Sequence, residues 1–171
     1  MRRQLFVAIV AVHAAFLLAW AGALEWGRAT GTTIRLDVVE RDPRDLLRGD
    51  YITLSYEIST LPPAALESAA VIPPGGRVWV VLEPDGPTWR VAAAAPSREA
   101  LALQPGQRLI TGTLRSERRD SGPRVDYGIE RFYVPEGKGT PPGGRMQAEV
   151  ALSADGQPRL LRLVVDGRPY P

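Results

Sequence analysis

The side chains able to do chemistry in this chain are carboxylates, hydroxyls and one imidazole. There is no cysteine, which excludes disulfides, thiolate zinc sites, iron–sulfur clusters and Cys nucleophiles together. The one histidine, His13, lies in an apolar N-terminal run, so histidine-based triads and imidazole-bound zinc are excluded from the remainder. A serine nucleophile with a lysine base needs that lysine buried and neutral. The only lysine, Lys138, sits between glycines in PEGKGT, a context of exposure that argues against a Ser55–Lys138 pair. Carboxylate chemistry survives: Asp50 and Glu130 as a general acid/base pair with Tyr51 lining a cleft, as glycoside hydrolysis would need. The plainer use of these groups is structural, with Asp45, Asp50 and Glu130 bonding turn amides or the neighbouring Arg44, Arg48 and Arg131. Asp42, Asp45 and Asp50 lack a calcium-loop spacing and are interleaved with arginines, so neither a metal nor another cofactor is expected.

Charge narrows the partners. The chain carries 21 Lys plus Arg against 19 Asp plus Glu, and Arg2 and Arg3 precede the apolar run. Beyond residue 34 arginine alternates with Asp and Glu, without the basic stripe that a nucleic acid would require. No nucleic-acid partner is expected.

The elements that must hold these residues begin with Asp42 to Ile58, DPRDLLRGDYITLSYEI. Asp42 can cap a helical turn, Pro43 suits its first position, Asp45 can reach back to the cap, and Gly49 ends it. The strand that follows puts Ile52, Leu54, Tyr56 and Ile58 on one face, and Tyr51, Thr53, Ser55 and Glu57 on the other. The first set belongs in a core, which leaves Tyr51 as a large aromatic on the polar face beside a tight turn.

Elsewhere period-2 patterns recur between turn signals, and no 3.6 period lasts beyond two turns. Strands are expected near Thr32 to Glu40, Tyr51 to Ile58, Arg77 to Glu83, Thr88 to Ala95, Gln107 to Glu117, Arg124 to Val134, Met146 to Ser153 and Arg159 to Asp166. Glu83-Pro84-Asp85-Gly86-Pro87 and Ala154-Asp155-Gly156 supply the fixed or positive φ of reversals. Leu61 to Gly76 and Pro135 to Gly144 are proline- and glycine-rich loops, the first with room for a helical turn around Ala64 to Ala69. The expected fold is all-β, a mainly antiparallel sandwich or partly open barrel of seven or eight strands.

From Leu5 to Leu24, 20 residues pass without a charge, enough for a helix to cross a hydrocarbon core of about 30 Å. Arg2 and Arg3 before it leave the N-terminus in the cytoplasm by the positive-inside bias, and Trp20 and Trp26 suit the far interface. A retained anchor is the expectation. A cleaved signal peptide is its rival, because Ala21-Gly22-Ala23 has the small-x-small pattern of a cleavage site. Residues 1–27 are thus read as anchor or signal, and residues 28–171 as an extracytoplasmic, periplasmic β domain. For His13, a neutral imidazole packed against another helix is expected over a proton path.

The residues Gly49, Asp50, Tyr51, Leu54 and Tyr56 form the pattern G-D-Y-x-x-L-x-Y, preceded by Asp42-Pro43-Arg44-Asp45 and Leu47-Arg48. The chain thereby resembles the GDYXXLXY family of bacterial membrane-anchored proteins. Tyr127-Gly128-Ile129-Glu130 and Phe132-Tyr133-Val134-Pro135-Glu136-Gly137 resemble that family's second marked segment. The resemblance implies a membrane anchor, an extracytoplasmic domain and a polytopic membrane-protein neighbour, and no established activity. A binding edge is expected at Asp45, Arg48, Gly49, Asp50, Tyr51, Tyr127, Glu130, Arg131 and Glu136, where Tyr, Phe and Arg are the types enriched at interfaces. The expected function is a non-catalytic interaction or accessory subunit of an envelope membrane complex, more so than an enzyme. The alternative is an envelope hydrolase using Asp50 and Glu130.

Overall fold

A computed structural model describes residues 2–29, 31–39, 51–66, 72–118, 122–133 and 144–170. The chain divides into two units, Met1–Gly31 and Thr32–Pro171. In the first, helix α1 (Arg2–Ala29) contains the apolar run. No proline interrupts it, and Ala and Leu, the commonest residues along it, lose little side-chain freedom in a helix. The stretch Arg3–Gly22 has a mean hydropathy of 2.2 and none of it is buried by protein.

The second unit is all-β, with antiparallel strands closing into a half-barrel. One four-stranded sheet has the order β1-β8-β9-β10 and is built from β1 (Thr32–Asp37), β8 (Met146–Leu152), β9 (Pro158–Val165) and β10 (Arg168–Tyr170). A second runs β4-β3-β5-β6, with β3 (Arg77–Asp85), β4 (Thr88–Ala95), β5 (Arg108–Arg118) and β6 (Gly122–Asp126). A two-stranded ribbon joins β2 (Tyr51–Thr53) to β7 (Arg131–Tyr133).

Strand alternation builds the core directly. In β1, TTIRLD, Ile34 and Leu36 are buried while Thr33 and Arg35 face out. Ile52, Leu54, Tyr56 and Ile58 all reach the same core, as their spacing requires, and Val78, Val80 and Leu82 of β3 meet them there. The other face of β3, Trp79 and Val81, is also covered. Strands β4 and β5 flank β3 and both run antiparallel to it, so the connection between them must travel the length of the sheet. Residues 96–107 make that crossing and bury Leu101 with Val81, Ala95 and Leu109 in a second, smaller cluster.

Ten strands are present among the described residues, where seven or eight were expected. The stretch expected as one strand from Arg124 to Val134 is two. Gly128 takes a φ of 79°, and the break sends β6 to β5 and β7 to β2. The additional strand β10 follows the turn Asp166-Gly167, where both residues have positive φ, 48° and 78°, as a tight hairpin needs. The strand expected from Tyr51 to Ile58 stops at Thr53 and continues through a bridge from Tyr56 to Val38 into a 3-10 turn, Glu57–Ser59. The helical turn expected around Ala64 to Ala69 is a 3-10 turn at Pro63–Ala65. The capped turn expected at Asp42 to Gly49 lies outside the described residues.

Candidate functional site

The two marked sequence segments are neighbours in space. In the ribbon Tyr51 stands opposite Tyr133, Ile52 opposite Phe132 and Thr53 opposite Arg131, and the Leu54 amide donates to the Glu130 carbonyl at 2.7 Å. Two buried tyrosines fasten this join. The Tyr56 hydroxyl donates to the Ile129 carbonyl at 2.6 Å, and the Tyr127 hydroxyl donates to the Ile58 carbonyl at 2.8 Å. Burial, with the nearby Glu130 carboxylate adding to it, pushes both hydroxyls well above the ordinary tyrosine range. They serve as neutral donors.

Of the residues expected at a binding edge, Tyr127 is 5% exposed, so its ring fills the core. Glu130 is half-buried, and its Oε1 accepts from the Tyr127 amide at 2.5 Å, closing the turn that separates β6 from β7. Arg131 is exposed on β7. The backbone of Tyr51 begins β2. Asp45, Arg48, Gly49, Asp50 and Glu136 lie outside the described residues, as does Lys138. Ser55 is buried and accepts from the Arg124 guanidinium at 2.6 Å.

Two further polar groups, on the β1-β8-β9 sheet, are structural. Glu149 is 6% exposed. It accepts from Arg162 of β9 and from Arg35 of β1, the latter at 2.9 Å, across neighbouring strands. The Arg162 hydrogen bond, helped by Arg35, holds its carboxyl below the usual carboxylate range against the opposing effect of burial. For Asp37 burial acts to raise the carboxyl, and hydrogen bonds from Arg145, Gln147 and Thr88 outweigh it and bring it below the ordinary value. Gln147 belongs to β8 and donates to Asp37 at 3.0 Å, so Asp37 ties β1 to β8 within the first sheet.

A groove of about 570 Å³ lies between Pro62–Ala65 and the crossing segment, floored by Val81, Ala92 and Ala93. Its polar groups pair among themselves: Arg90 with Glu83 at 2.6 Å, and the Gln104 amide with Gln107 Oε1 at 2.9 Å. Nothing in the sequence marks this groove, because its alanines read only as strand filling. Among the described residues no three His, Cys, Asp or Glu side chains gather to hold a metal.

No curated protein and no solved structure matches the chain. The model of the GDYXXLXY protein family matches residues 13–163, from the middle of α1 into β9. With the two marked segments of that span joined at the β2–β7 ribbon, the chain belongs to the GDYXXLXY family.

Proposed function

We propose that this chain is a single-pass membrane protein whose β domain stands on the periplasmic side and acts as a non-catalytic accessory or interaction subunit of an envelope complex. One observation carries the anchor. Ten of the fourteen large apolar residues exposed among those described lie in α1, from Leu5 to Trp20, whereas the β domain covers nearly all of its own. So long an uncovered apolar surface is costly in water and at home in hydrocarbon. Arg2 and Arg3 support a cytoplasmic N-terminus.

The accessory role is supported by how the acidic groups are used. Glu130 closes a turn, Glu149 joins three strands and Asp37 ties β1 to β8. Each carboxylate is occupied in holding the frame. The partner is a polytopic membrane protein met through the exposed side of the ribbon, where Arg131 and Tyr133 are exposed.

Intact-mass measurement of the protein extracted from carbonate-washed membranes tests the anchor. The full-length mass is expected; a mature chain starting at Leu24 would make the domain an exported one and overturn the proposal. Crosslinking in native membranes tests the role: a repeatable adduct to one polytopic protein is expected, and hydrolysis of envelope glycans by the purified chain would refute it.

A further inference from the structure

His13 lies ten residues from Arg3 and nine from Gly22 along the apolar stretch, about 14–15 Å from either end at the helical rise. That is the middle of a hydrocarbon core. Its Nδ1 is 3.0 Å from the carbonyl oxygen of Ile9, one turn back. A carbonyl oxygen can only accept, so this contact puts a proton on Nδ1, and the neutral ring, the form that hydrocarbon favours, is then the Nδ1–H tautomer. Nε2 is then a bare acceptor on the outer surface of the helix, and among the described residues it has no partner.

Helical spacing gives that acceptor a defined surface. Phe6, His13 and Trp20 recur every seventh residue and lie on one line, with Phe16 and Leu17 beside it. The Phe16 and Trp20 rings meet at 5.8 Å between centroids. Ala8, Ala11, Ala15, Ala19 and Gly22 occupy the opposite side.

We propose that the His13 face of α1 binds a second membrane helix of a different protein, one presenting a hydroxyl, amide or indole hydrogen-bond donor to Nε2 at mid-bilayer depth. An unpaired polar atom in hydrocarbon costs free energy that a donor on a neighbouring helix removes. Lipid tails have no donor to offer. A second copy of this chain is disfavoured, because a parallel pair sets like residues at like depth and would bring one bare Nε2 against another. The inference rests on α1 being a retained span, and adds to the ribbon a second contact, within the membrane, through which the accessory subunit is held.

The test uses the full chain in native membranes, with a benzophenone amino acid placed at Leu17 on the His13 face or at Ala15 on the other. An adduct from position 17 is expected to fall about three- to tenfold in His13→Leu, the range of interhelical hydrogen bonds in membranes. It should be kept in His13→Asn, which retains an acceptor, and yield from position 15 should not change. Because this is the only histidine, ¹⁵N-imidazole spectra report it alone. Nε2 should be unprotonated in phosphatidylcholine vesicles and its resonance should shift towards a hydrogen-bonded value in native membranes. An adduct indifferent to His13→Leu, an adduct formed only between copies of this chain, or a protonated Nε2 would overturn the proposal. Loss of residues 1–23 from the mature chain, seen by mass, would instead remove the anchor on which it rests.

Discussion

Tyr56 and Tyr127 each donate a hydroxyl to the carbonyl two residues beyond the other, Ile129 for the first and Ile58 for the second. The relation is reciprocal and buried, and it joins segments about seventy residues apart. Tyr56 is the last fixed letter of the family pattern and Tyr127 opens the second marked segment. Both residues are therefore explained by what they do for the fold.

Removing either hydroxyl leaves a buried carbonyl without its donor. Tyr56→Phe and Tyr127→Phe should each lower unfolding free energy by about 1–2 kcal/mol, read from urea titrations. Because the two bonds span one join, the double variant should depart from the sum of the single losses. In alkaline titration both hydroxyls should stay protonated past about pH 10, the ordinary range. With folded-state values raised, their contribution is complete below pH 10 and is lost above it, as unfolding releases the groups.

Glu149 controls the acid side. Its folded-state value is depressed, so its contribution is present above the ordinary glutamate value of about 4.3 and is lost as pH falls through the folded value. Glu149→Gln should cost about 1–2 kcal/mol at pH 7, a figure kept small because both arginines are half-exposed. The variant's unfolding midpoint should vary less with pH below about 5 than that of the parent chain.

Glu130 separates a frame-holding carboxylate from a catalytic one. Glu130→Gln preserves an acceptor for the Tyr127 amide and should stay close to parent stability, whereas Glu130→Ala should lose about 1–2 kcal/mol. Thermal unfolding of the two variants checks this. A stable Glu130→Gln chain that had lost an envelope-hydrolase activity would revive the acid/base pair with Asp50.

Gly112 makes room for Tyr127. A Cβ at this position of β5 would clash first with the Val125 side chain, and would lie 2.8 Å from the Asp126 carbonyl oxygen and 3.0 Å from the Tyr127 ring. Gly112→Ala should destabilise by about 1–3 kcal/mol, measurable as a lowered urea midpoint with an unchanged slope.

Much of the frame was legible because alternation is a local signal. Thr88 to Ala95 is a strand over the expected residues, and the buried set Ile52, Leu54, Tyr56 and Ile58 follows from spacing alone. The break at Tyr127 to Glu130 was hidden, because Val125, Tyr127 and Ile129 keep an apolar alternation straight through it. Only the long-range choice of two partners, β5 and β2, decides that the segment splits. Tyr127 is expected at an edge only because tyrosine is a type enriched at interfaces, and the structure instead buries it, with its hydroxyl donating to Ile58, far away in the chain. The pairing of Glu149 with Arg35 and Arg162 was equally out of reach, since register across three strands sets it.

The pairing of β1 with β8 sets a timetable for folding. Thr32 is matched with Leu152, Ile34 with Val150 and Leu36 with Ala148, so the first strand to leave the ribosome waits more than a hundred residues for its neighbour. Contacts so distant in sequence form slowly and late. Until β8 emerges the growing chain has no complete β1-β8-β9-β10 sheet to close, whereas every strand of the β4-β3-β5-β6 sheet is already in hand.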